Sequence, residues 1–555
     1  MYIKCFFSQK LLFIRLFVKF CNMKEILREN KYLLILWILC IAGLIFFCGH
    51  YSGILIDFGR EVYYPQQILE GKILYKDLFN IYGPLAYQIN AILYKIFGAK
   101  LSTLYASGCI CSILTVSGIY LIAKRFLSRF LSFCIGVFTI AVGVTATNIF
   151  NFHFPYSWAM LYGLSAFLFS LYFLLKYDGE KKSSFLCISA FLAGISAACK
   201  YDFLPYSFIV LFFIFKAKDW KAFLVFISVP ILSFGTLFIQ GMRLEDLINQ
   251  LGITASMAKS KTLTYFYQNS GIYFHPKALL TDFIIFLKTA VPFGGILFGV
   301  SKNKKIITVI SCILFLLLLD TKTMFGFLPL FLLIFACAGY KKINSSLAIL
   351  IISVLAACAK VFWVLLLGSY GNYYISIALI AVFALLFKYI PSKSEKTAGI
   401  CLIAVSVILM CQNFYLRTFT DGKIRTNKGT IYTVKNLSDS TNKLIEFLNS
   451  TDKKDRVVIF PEGMTVNFLA DHKSDDFYNS LLPLYIESFG ENKIIEHYKK
   501  TMPEYIIFNN LNMKDYYFNY ICQDYALSFC GFVQENYNPV AVIDEGFRYI
   551  IFKHK

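Results

Sequence analysis

The chain is dominated by runs of apolar residues whose lengths are close to the 20 or so residues that a helix needs to cross a lipid bilayer. Thirteen such runs occur in 555 residues, separated by polar segments. The runs cover residues 32–54, 101–123, 130–149, 156–176, 185–200, 203–217, 221–240, 279–300, 305–320, 324–340, 346–368, 372–390 and 397–415. This pattern predicts a bundle of about thirteen transmembrane helices, because helices satisfy their own backbone polar groups in lipid.

Composition agrees with a polytopic membrane protein, since 58% of residues are hydrophobic and only 16% are charged. The net charge of +21 would also suit a nucleic-acid partner. The basic residues, however, cluster in short patches between alternate apolar runs, which is typical of cytoplasmic loops. These patches lie at 124–129, 176–182, 216–221, 301–305, 340–342 and 388–396. We therefore expect membrane lipids, and no nucleic acid, among the partners.

The same alternation assigns the rest of the chain to sides of the membrane. Residues 1–31 form a cytoplasmic N-terminal segment without the features of a signal peptide, in which Met23 is as good a start as Met1. Residues 32–415 form the multi-helix membrane domain, and its long polar loops, 55–100 and 241–278, face the opposite side. Residues 416–555 follow on that opposite side as an extracytoplasmic domain.

The C-terminal segment has a different pattern from the membrane domain. Short apolar strands in 455–463, 503–510 and 547–553 alternate with helical stretches, which predicts a small α/β domain. Fourteen of the sixteen Cys residues lie before this segment, where Cys acts as a small hydrophobic residue. Cys522 and Cys530 lie within it, and either a disulfide or a reduced pair is compatible with the sequence.

The polar loop 55–100 carries the most distinctive residues. Asp57 stands fourteen residues before Gly71, and GKILYKD (71–77) and YGPLAY (82–87) follow in order. This set resembles the first external loop of the GT-C membrane glycosyltransferases, especially the bacterial protein-mannosyltransferase-like (family 39-like) and aminoarabinose-transferase-like branches. Two positions depart from the resemblance: Phe58 replaces the Glu of an acidic pair, and Gly83 replaces a Lys that some members have before the Pro.

The resemblance implies an enzyme of the bacterial inner (cytoplasmic) membrane. Such enzymes take a sugar from a polyprenyl-phosphate donor and transfer it, with inversion, to a hydroxyl of a lipid, glycan or protein acceptor outside the cytoplasm. No cofactor is certain, although a divalent cation is compatible with the family. The sequence itself has no metal-ligand spacing among its six His residues.

This reaction needs a carboxylate that accepts the proton of the acceptor hydroxyl. Asp57 is the predicted base, and its alternative role is to cap the helix that follows it. Asp77 is a second candidate acid, with a turn residue as the alternative. Glu61 is a third, with a charge on the helix surface as the alternative. Glu462, in the turn FPEG of the C-terminal segment, is either structural or a contact for the acceptor.

The reaction also needs cations that stabilise the departing lipid phosphate. Candidates on the predicted outer side are Arg60, Lys200, Lys259, Lys261 and Lys277. Lys200 has an alternative role in an interfacial ion pair with Asp202, and loop 241–278 has one as an amphipathic surface helix. Lys288 and Lys360 lie near the outer ends of apolar runs, where they either reach a water-filled cavity near the phosphate or extend their long side chains to the interface.

Two other functions remain compatible with the apolar pattern. One is a carrier or flippase for glycolipids, which would explain the helices but not the spaced acid and arginine at the head of loop 55–100. The other is a non-catalytic protein of the same fold that binds lipid phosphate, since Phe58 stands where an acid is expected.

Overall fold

The computed structural model describes residues 31–555 apart from positions 270, 272–273, 392 and 475–476. The predicted N-terminal segment 1–31 therefore lies outside the described residues, except for Lys31. Within the described residues the protein is mainly helical, and its strands all lie in the C-terminal segment.

Every one of the thirteen predicted apolar runs contains a helix, although the helix in run 346–368 ends at Ala357. These helices are α1 (Lys31–Phe47), α4 (Leu101–Ala123), α5 (Arg129–Thr139, extended by a π-helical turn Ile140–Val144), α6 (Trp158–Glu180), α7 (Ser183–Cys199), α8 (Leu204–Ala217), α9 (Trp220–Gln240), α12 (Pro276–Ser301), α13 (Lys305–Leu318), α14 (Leu328–Ala338), α15 (Ser345–Ala357), α16 (Gly371–Leu386) and α17 (Lys393–Arg417). The prediction of a polytopic helical architecture is confirmed.

Five of these helices are long and apolar enough to cross a membrane by length and composition, namely α4, α6, α9, α12 and α17. The buried fraction of each helix shows whether it lies in the centre of the bundle or at its periphery. The most apolar window of α6 is 83% buried, against 28% for α9 and α17. Helix α6 therefore packs in the centre of the bundle, whereas α9 and α17 present apolar side chains outward, as lipid-facing helices do.

The two long polar loops are themselves helical. Loop 55–100 contains α2 (Phe58–Leu69) and α3 (Leu85–Phe97), and loop 241–278 contains α10 (Leu244–Ala258) and α11 (Lys261–Asn269). The carboxylate of Glu487 accepts hydrogen bonds from the backbone N–H groups of Lys261 and Thr262 at the start of α11. A negative charge is favourable at a helix N-terminus, so this contact ties α11 to the C-terminal segment.

The C-terminal segment forms the predicted α/β unit. A hairpin of β1 (Gly422–Thr426) and β2 (Gly429–Thr433) comes first, and a four-stranded sheet of order β3–β4–β6–β5 follows. Its strands are β3 (Val457–Phe460), β4 (Tyr505–Asn509), β5 (Tyr537–Asp544) and β6 (Arg548–His554), and its helices are α18 (Lys435–Asn449), α19 (Met464–Ala470), α20 (Pro483–Phe489), α21 (Glu491–Thr501) and α22 (Leu527–Asn536). The β3–β4 pair is parallel and the other pairs are antiparallel. Cys522 and Cys530 form a disulfide, which resolves the alternative that the sequence leaves open.

The C-terminal segment packs directly on loop 55–100 through α19 and α2. At Gly59 the two backbones are so close that an added Cβ would lie 2.6 Å from the backbone nitrogen of Thr465 and 2.7 Å from the Cβ of Met464. The hydroxyl of Thr465 also donates a hydrogen bond to the main-chain oxygen of Ile54. A residue without a side chain is therefore required at position 59, two residues after Asp57.

We expect Gly59→Ala to lower the free energy of unfolding by about 1–3 kcal/mol, because overpacking against backbone atoms forces the two helices apart. The measurement is the midpoint of thermal unfolding of the purified protein in detergent. Gly531→Ala is the matched control, because an added Cβ at Gly531 in α22 meets no atom within 4 Å. Equal midpoints for the two variants would contradict the close packing of α2 on α19.

Candidate active site

A cavity of about 720 Å³ lies where loop 55–100, the loops at one end of the helix bundle and the C-terminal segment meet. Asp57 lines it from the first loop, and Lys200, Asp202 and Lys360 line it from the segments after α7 and α15. The C-terminal segment contributes Tyr485, Asp515 and Tyr516, and apolar side chains complete much of the remaining wall. The cavity thus joins the predicted base Asp57 with the predicted cation Lys200 and with Lys360, for which a position in a cavity is one of the two alternatives from the sequence.

Asp57 occupies the residue before α2 but does not cap this helix. Its side chain makes no capping hydrogen bond, and its φ of 61° lies in the left-handed region that few non-glycine residues adopt. The side chain is 15% exposed and accepts a hydrogen bond of 2.5 Å from Nη2 of Arg60. The capping role is therefore not observed, and the carboxylate is directed to Arg60 and the cavity.

Burial raises the pKa of the Asp57 carboxyl, while the nearby charges of Arg60 and Lys200 act in the opposite direction. A carboxylate with a raised pKa is a better proton acceptor than an ordinary Asp. The environment of Asp57 therefore favours the role of a base.

Arg60 lies behind Asp57 and not among the residues that line the cavity. Besides its bond to Asp57, its Nη1 donates to the hydroxyl of Tyr485 at 3.0 Å. The guanidinium also lies 5.9 Å and 5.7 Å from the ring centroids of Tyr82 and Tyr156. These contacts fix Arg60 as a support for Asp57, which differs from the predicted contact with lipid phosphate.

Glu61 is buried, with 1% of its side chain exposed, so the alternative of a helix-surface charge is wrong. One carboxylate oxygen accepts from the hydroxyl of Tyr87 at 2.8 Å, and the other accepts from the backbone N–H of Trp158 at 2.9 Å. Burial raises its pKa to about 7, although Arg60 and these hydrogen bonds oppose the rise. Glu61 anchors α2 to the first residue of α6, and it does not line the main cavity.

Lys200 directly follows α7 and has only 1% of its side chain exposed. Its Nζ lies 3.6 Å from Oδ2 of Asp202, and the Nζ of Lys360 lies 3.6 Å from the same oxygen. The Nζ of Lys200 also faces the rings of Tyr82 and Tyr370, at 4.8 and 5.2 Å from their centroids. Within the described part of the chain this Nζ has no hydrogen-bond acceptor. Two lysines beside one carboxylate give this group of three side chains one net positive charge when both lysines are protonated.

Burial lowers the pKa of Lys200 to about 8; Asp202 opposes this effect, and Lys360 adds to it by repulsion. The charge of Lys200 is therefore sensitive to pH near neutrality, which is unusual for a lysine.

Gly83 explains how loop 55–100 reaches Lys200. Its backbone N–H donates to the main-chain oxygen of Cys199 at 3.0 Å, and an added Cβ would lie 2.0 Å from the main-chain oxygen of Ala198. No side chain fits at position 83. The preceding residue, Tyr82, then lies against the Nζ of Lys200.

Glu462 comes from the turn between β3 and α19 and lies directly beside Asp57. The backbone N–H of Asp57 donates to Oε2 of Glu462 at 2.6 Å, and Ser480 donates to Oε1 at 2.7 Å. Glu462 is 4% exposed, and burial and the charge of Asp57 raise its pKa to about 7. The sequence places Glu462 in a turn but carries no signal of this contact, which joins residues 405 positions apart.

The structure does not bring the other predicted site residues to the main cavity. Asp77 accepts a hydrogen bond from the backbone N–H of Ile73 at 2.9 Å, as a turn residue does, and lines a separate cleft. Lys259, Lys261 and Lys277 belong to loop 241–278 but do not line the cavity. That loop contributes apolar and aromatic wall residues instead, and the unpredicted cation Lys322 joins Lys360.

The side chains around Asp57 do not match the set of ligands that a divalent cation needs. The carboxylate of Asp57 is bound by Arg60, and both oxygens of Glu462 accept hydrogen bonds. Among the described residues, no three His, Cys, Asp or Glu side chains gather as metal ligands.

Comparisons with known proteins found similarity only at the level of structure. No family model matches the chain. No curated protein matches it either.

The solved structures to which the chain is similar include three with high coverage. ArnT from Cupriavidus metallidurans bound to undecaprenyl phosphate is 11% identical with a TM-score of 0.43, over 94% of this chain and 98% of that one. The archaeal oligosaccharyltransferase AglB from Archaeoglobus fulgidus, in complex with an inhibitory peptide and a dolichol-phosphate, is 12% identical with a TM-score of 0.43, over 87% and 70%. The Archaeoglobus fulgidus oligosaccharyltransferase tethered to an acceptor peptide is 11% identical with a TM-score of 0.47, over 93% and 73%.

Proposed function

We propose that this protein is an integral membrane glycosyltransferase that transfers a sugar from a polyprenyl-phosphate donor to a hydroxyl of a lipid, glycan or protein acceptor. The observation that carries the proposal is the shared cavity of Asp57, Lys200 and Lys360 at the ends of apolar helices. A base and an anion site in one cavity match the acceptor hydroxyl and the donor phosphate, and the apolar part of the cavity wall suits the hydrophobic chain of the donor.

Lys200 and Lys360 would bind the phosphate of the donor. The Nζ of Lys200 has no hydrogen-bond acceptor among the described residues, so phosphate oxygens can take that place. Asp202 neutralises only part of the positive charge, because its single carboxylate is shared by Lys200 and Lys360, which approach the same oxygen. The remaining charge would stabilise the negative charge that develops on the phosphate as the lipid departs.

Asp57 would act as the base. In the proposed step, the acceptor oxygen attacks the anomeric carbon while its proton moves to a carboxylate oxygen of Asp57. The bond between the anomeric carbon and the phosphate oxygen breaks, and its electron pair stays on the polyprenyl phosphate. Attack from the face opposite the leaving group inverts the anomeric centre. Arg60, held by Tyr485, would keep the carboxylate aimed at the cavity.

We further propose that the cavity faces the extracytoplasmic side of the bacterial inner membrane. The six basic patches 124–129, 176–182, 216–221, 301–305, 340–342 and 388–396 would then face the cytoplasm with the N-terminus. The disulfide between Cys522 and Cys530 supports this orientation, because disulfides persist in oxidising compartments. Residues 416–555 would form the extracytoplasmic domain over the membrane domain 32–415.

The proposal is tested with the purified protein in lipid vesicles that contain a panel of polyprenyl-phosphate sugars. A membrane extract from the host supplies the unknown acceptor, and mass spectrometry follows the release of free polyprenyl phosphate. We expect release from at least one donor, and only when the extract is present. Movement of the intact donor across the bilayer without release would contradict the proposal and favour a carrier.

The pH dependence of kcat/KM provides a second prediction. Because the pKa of Lys200 is lowered to about 8, the lysine loses its proton as pH rises through that value, and the free enzyme then binds the donor phosphate less well. We expect kcat/KM to fall on the alkaline side near pH 8. In Lys200→Arg the guanidinium stays charged, so this alkaline fall should move to higher pH. An identical fall in both proteins would contradict the role of Lys200.

A further inference from the structure

We infer that Glu462 is a positioning residue for Asp57: it holds the backbone of Asp57 and, through its own charge, strengthens Asp57 as a base. The inference rests on the proposed function, since it assigns a role in the same reaction. It also implies that the extracytoplasmic segment is part of the catalytic centre and does more than cover the membrane domain.

The contacts of Glu462 fix its carboxylate at both oxygens. Oε2 accepts the backbone N–H of Asp57 at 2.6 Å, and Oε1 accepts the hydroxyl of Ser480 at 2.7 Å. Its main-chain oxygen accepts from Nδ2 of Asn509 at 3.0 Å. A charged acceptor with a backbone donor at this distance makes a strong hydrogen bond. The turn between β3 and α19 therefore holds Glu462 rigidly against the start of α2.

This bond accounts for the conformation of Asp57. A residue at the start of a helix normally adopts extended backbone angles and uses its side chain to accept a helix N–H. Asp57 instead has φ of 61° and makes no capping bond. Because Glu462 binds the N–H of Asp57, the left-handed backbone is held from outside the helix. The carboxylate is consequently free to face Arg60 and the cavity.

The charged groups around Asp57 and Glu462 determine how strongly the two carboxylates repel each other. Arg60 is the cation in contact with Asp57, and Lys200 acts from farther across the cavity. The other titratable groups that face the pair are Glu61, Tyr82, Tyr156, Tyr370, Tyr485, Tyr516 and Tyr525. Burial keeps these tyrosines neutral by raising their pKa. Repulsion between the carboxylates of Asp57 and Glu462 is thus only partly compensated, and an anionic Glu462 makes Asp57 more basic.

Protonation of Glu462 should then be visible in kcat measured at saturating donor. As pH falls through about 7, Glu462 gains a proton and Asp57 loses the neighbouring charge. We expect kcat to drop by roughly three- to tenfold in this step, because a weaker base transfers the proton less well. A second drop should follow at lower pH, when Asp57 itself is protonated.

Glu462→Gln tests the role of the charge. The amide oxygen can still accept the N–H of Asp57, so the backbone contact is retained while the charge is lost. We expect the step near pH 7 to disappear, kcat to stay at the reduced level across it, and the donor KM to be unchanged. Glu491→Gln is the matched control, because Glu491 also accepts a backbone N–H in the C-terminal segment, from Phe529 at 2.8 Å. A step that persists in Glu462→Gln would overturn the inference.

Ser480→Ala provides an independent test, in which the step in kcat near pH 7 should be shifted and not lost. This variant also serves if Glu462→Gln folds poorly. Loss of the Ser480 hydrogen bond destabilises the Glu462 anion and raises its pKa, so the step should move to higher pH. If the step in kcat stays at the same pH in Ser480→Ala, the inference is overturned. Failure of the proposed function is distinguishable, because the wild type would then release no polyprenyl phosphate from any donor at any pH.

Discussion

Replacement of Asp57 by Asn should reduce kcat for polyprenyl phosphate release by roughly 10²- to 10⁴-fold, the contribution typical of a general base. Asn has the shape of Asp but cannot take up the proton of the acceptor hydroxyl. The fold should persist, because Arg60 keeps its bond to Tyr485 and the backbone of residue 57 keeps its bond to Glu462. Binding of the donor should be nearly unchanged, since the phosphate is assigned to lysines.

The measurement compares release by wild type and Asp57→Asn in vesicles, together with the Kd of a non-transferable polyprenyl phosphate. Asp452→Asn is the control, because Asp452 is an exposed residue of the C-terminal segment that accepts a hydrogen bond from the backbone N–H of Lys454. Equal release by wild type and Asp57→Asn would remove Asp57 as the base. Reduced release with an equal loss of donor binding would assign Asp57 to binding instead of proton transfer.

Replacement of Lys200 by Met should weaken donor binding by about 2–5 kcal/mol, or roughly 30-fold or more in Kd, because a buried cation opposite the phosphate is lost. Met fills a similar volume between the rings of Tyr82 and Tyr370, so packing should be retained. Asp202 keeps Lys360 as its partner, so no isolated buried charge is created. The effect should therefore fall on binding and much less on stability.

The Kd of a polyprenyl phosphate for each variant, measured with the protein in vesicles, provides the test. Lys288→Met is the matched control, because Lys288 is an exposed residue of α12 that does not line the cavity. If the Kd of Lys200→Met equals that of this control, the phosphate site lies elsewhere in the cavity, and Lys322 and Lys360 become the groups to replace.

The sequence predicts the helices well because each apolar run is a local signal. Each of the thirteen runs contains a helix, and β3, β4 and β6 match the three predicted apolar strands, whereas β1, β2 and β5 were not predicted. Asp57 reaches the cavity, as its place in loop 55–100 suggests. The contact of Arg60 with Asp57 follows from their spacing of one helical turn, since residues three apart meet on a helix.

Contacts between distant segments could not be predicted in the same way. The partners of Asp57 and Arg60 in the C-terminal segment, Glu462 and Tyr485, lie more than 400 positions away along the chain. No local pattern encodes such a pairing. The lysines of loop 241–278 were predicted from their charge alone, whereas position in the fold decides which lysines line the cavity. Lys360 and Lys322 do so, although their sequence surroundings are mainly apolar or turn-like.

The hydrogen bond between Asp57 and Glu462 can form only after the chain has been synthesised as far as Glu462. Asp57 is synthesised early, whereas Glu462 follows 405 residues later. A nascent chain that has inserted all of its membrane helices therefore still lacks this contact of the candidate site. On the proposed function, the enzyme begins to act only after its C-terminal segment has been exported and folded. A chain that stalls or is cleaved before that point would remain inserted in the membrane without transferring sugar.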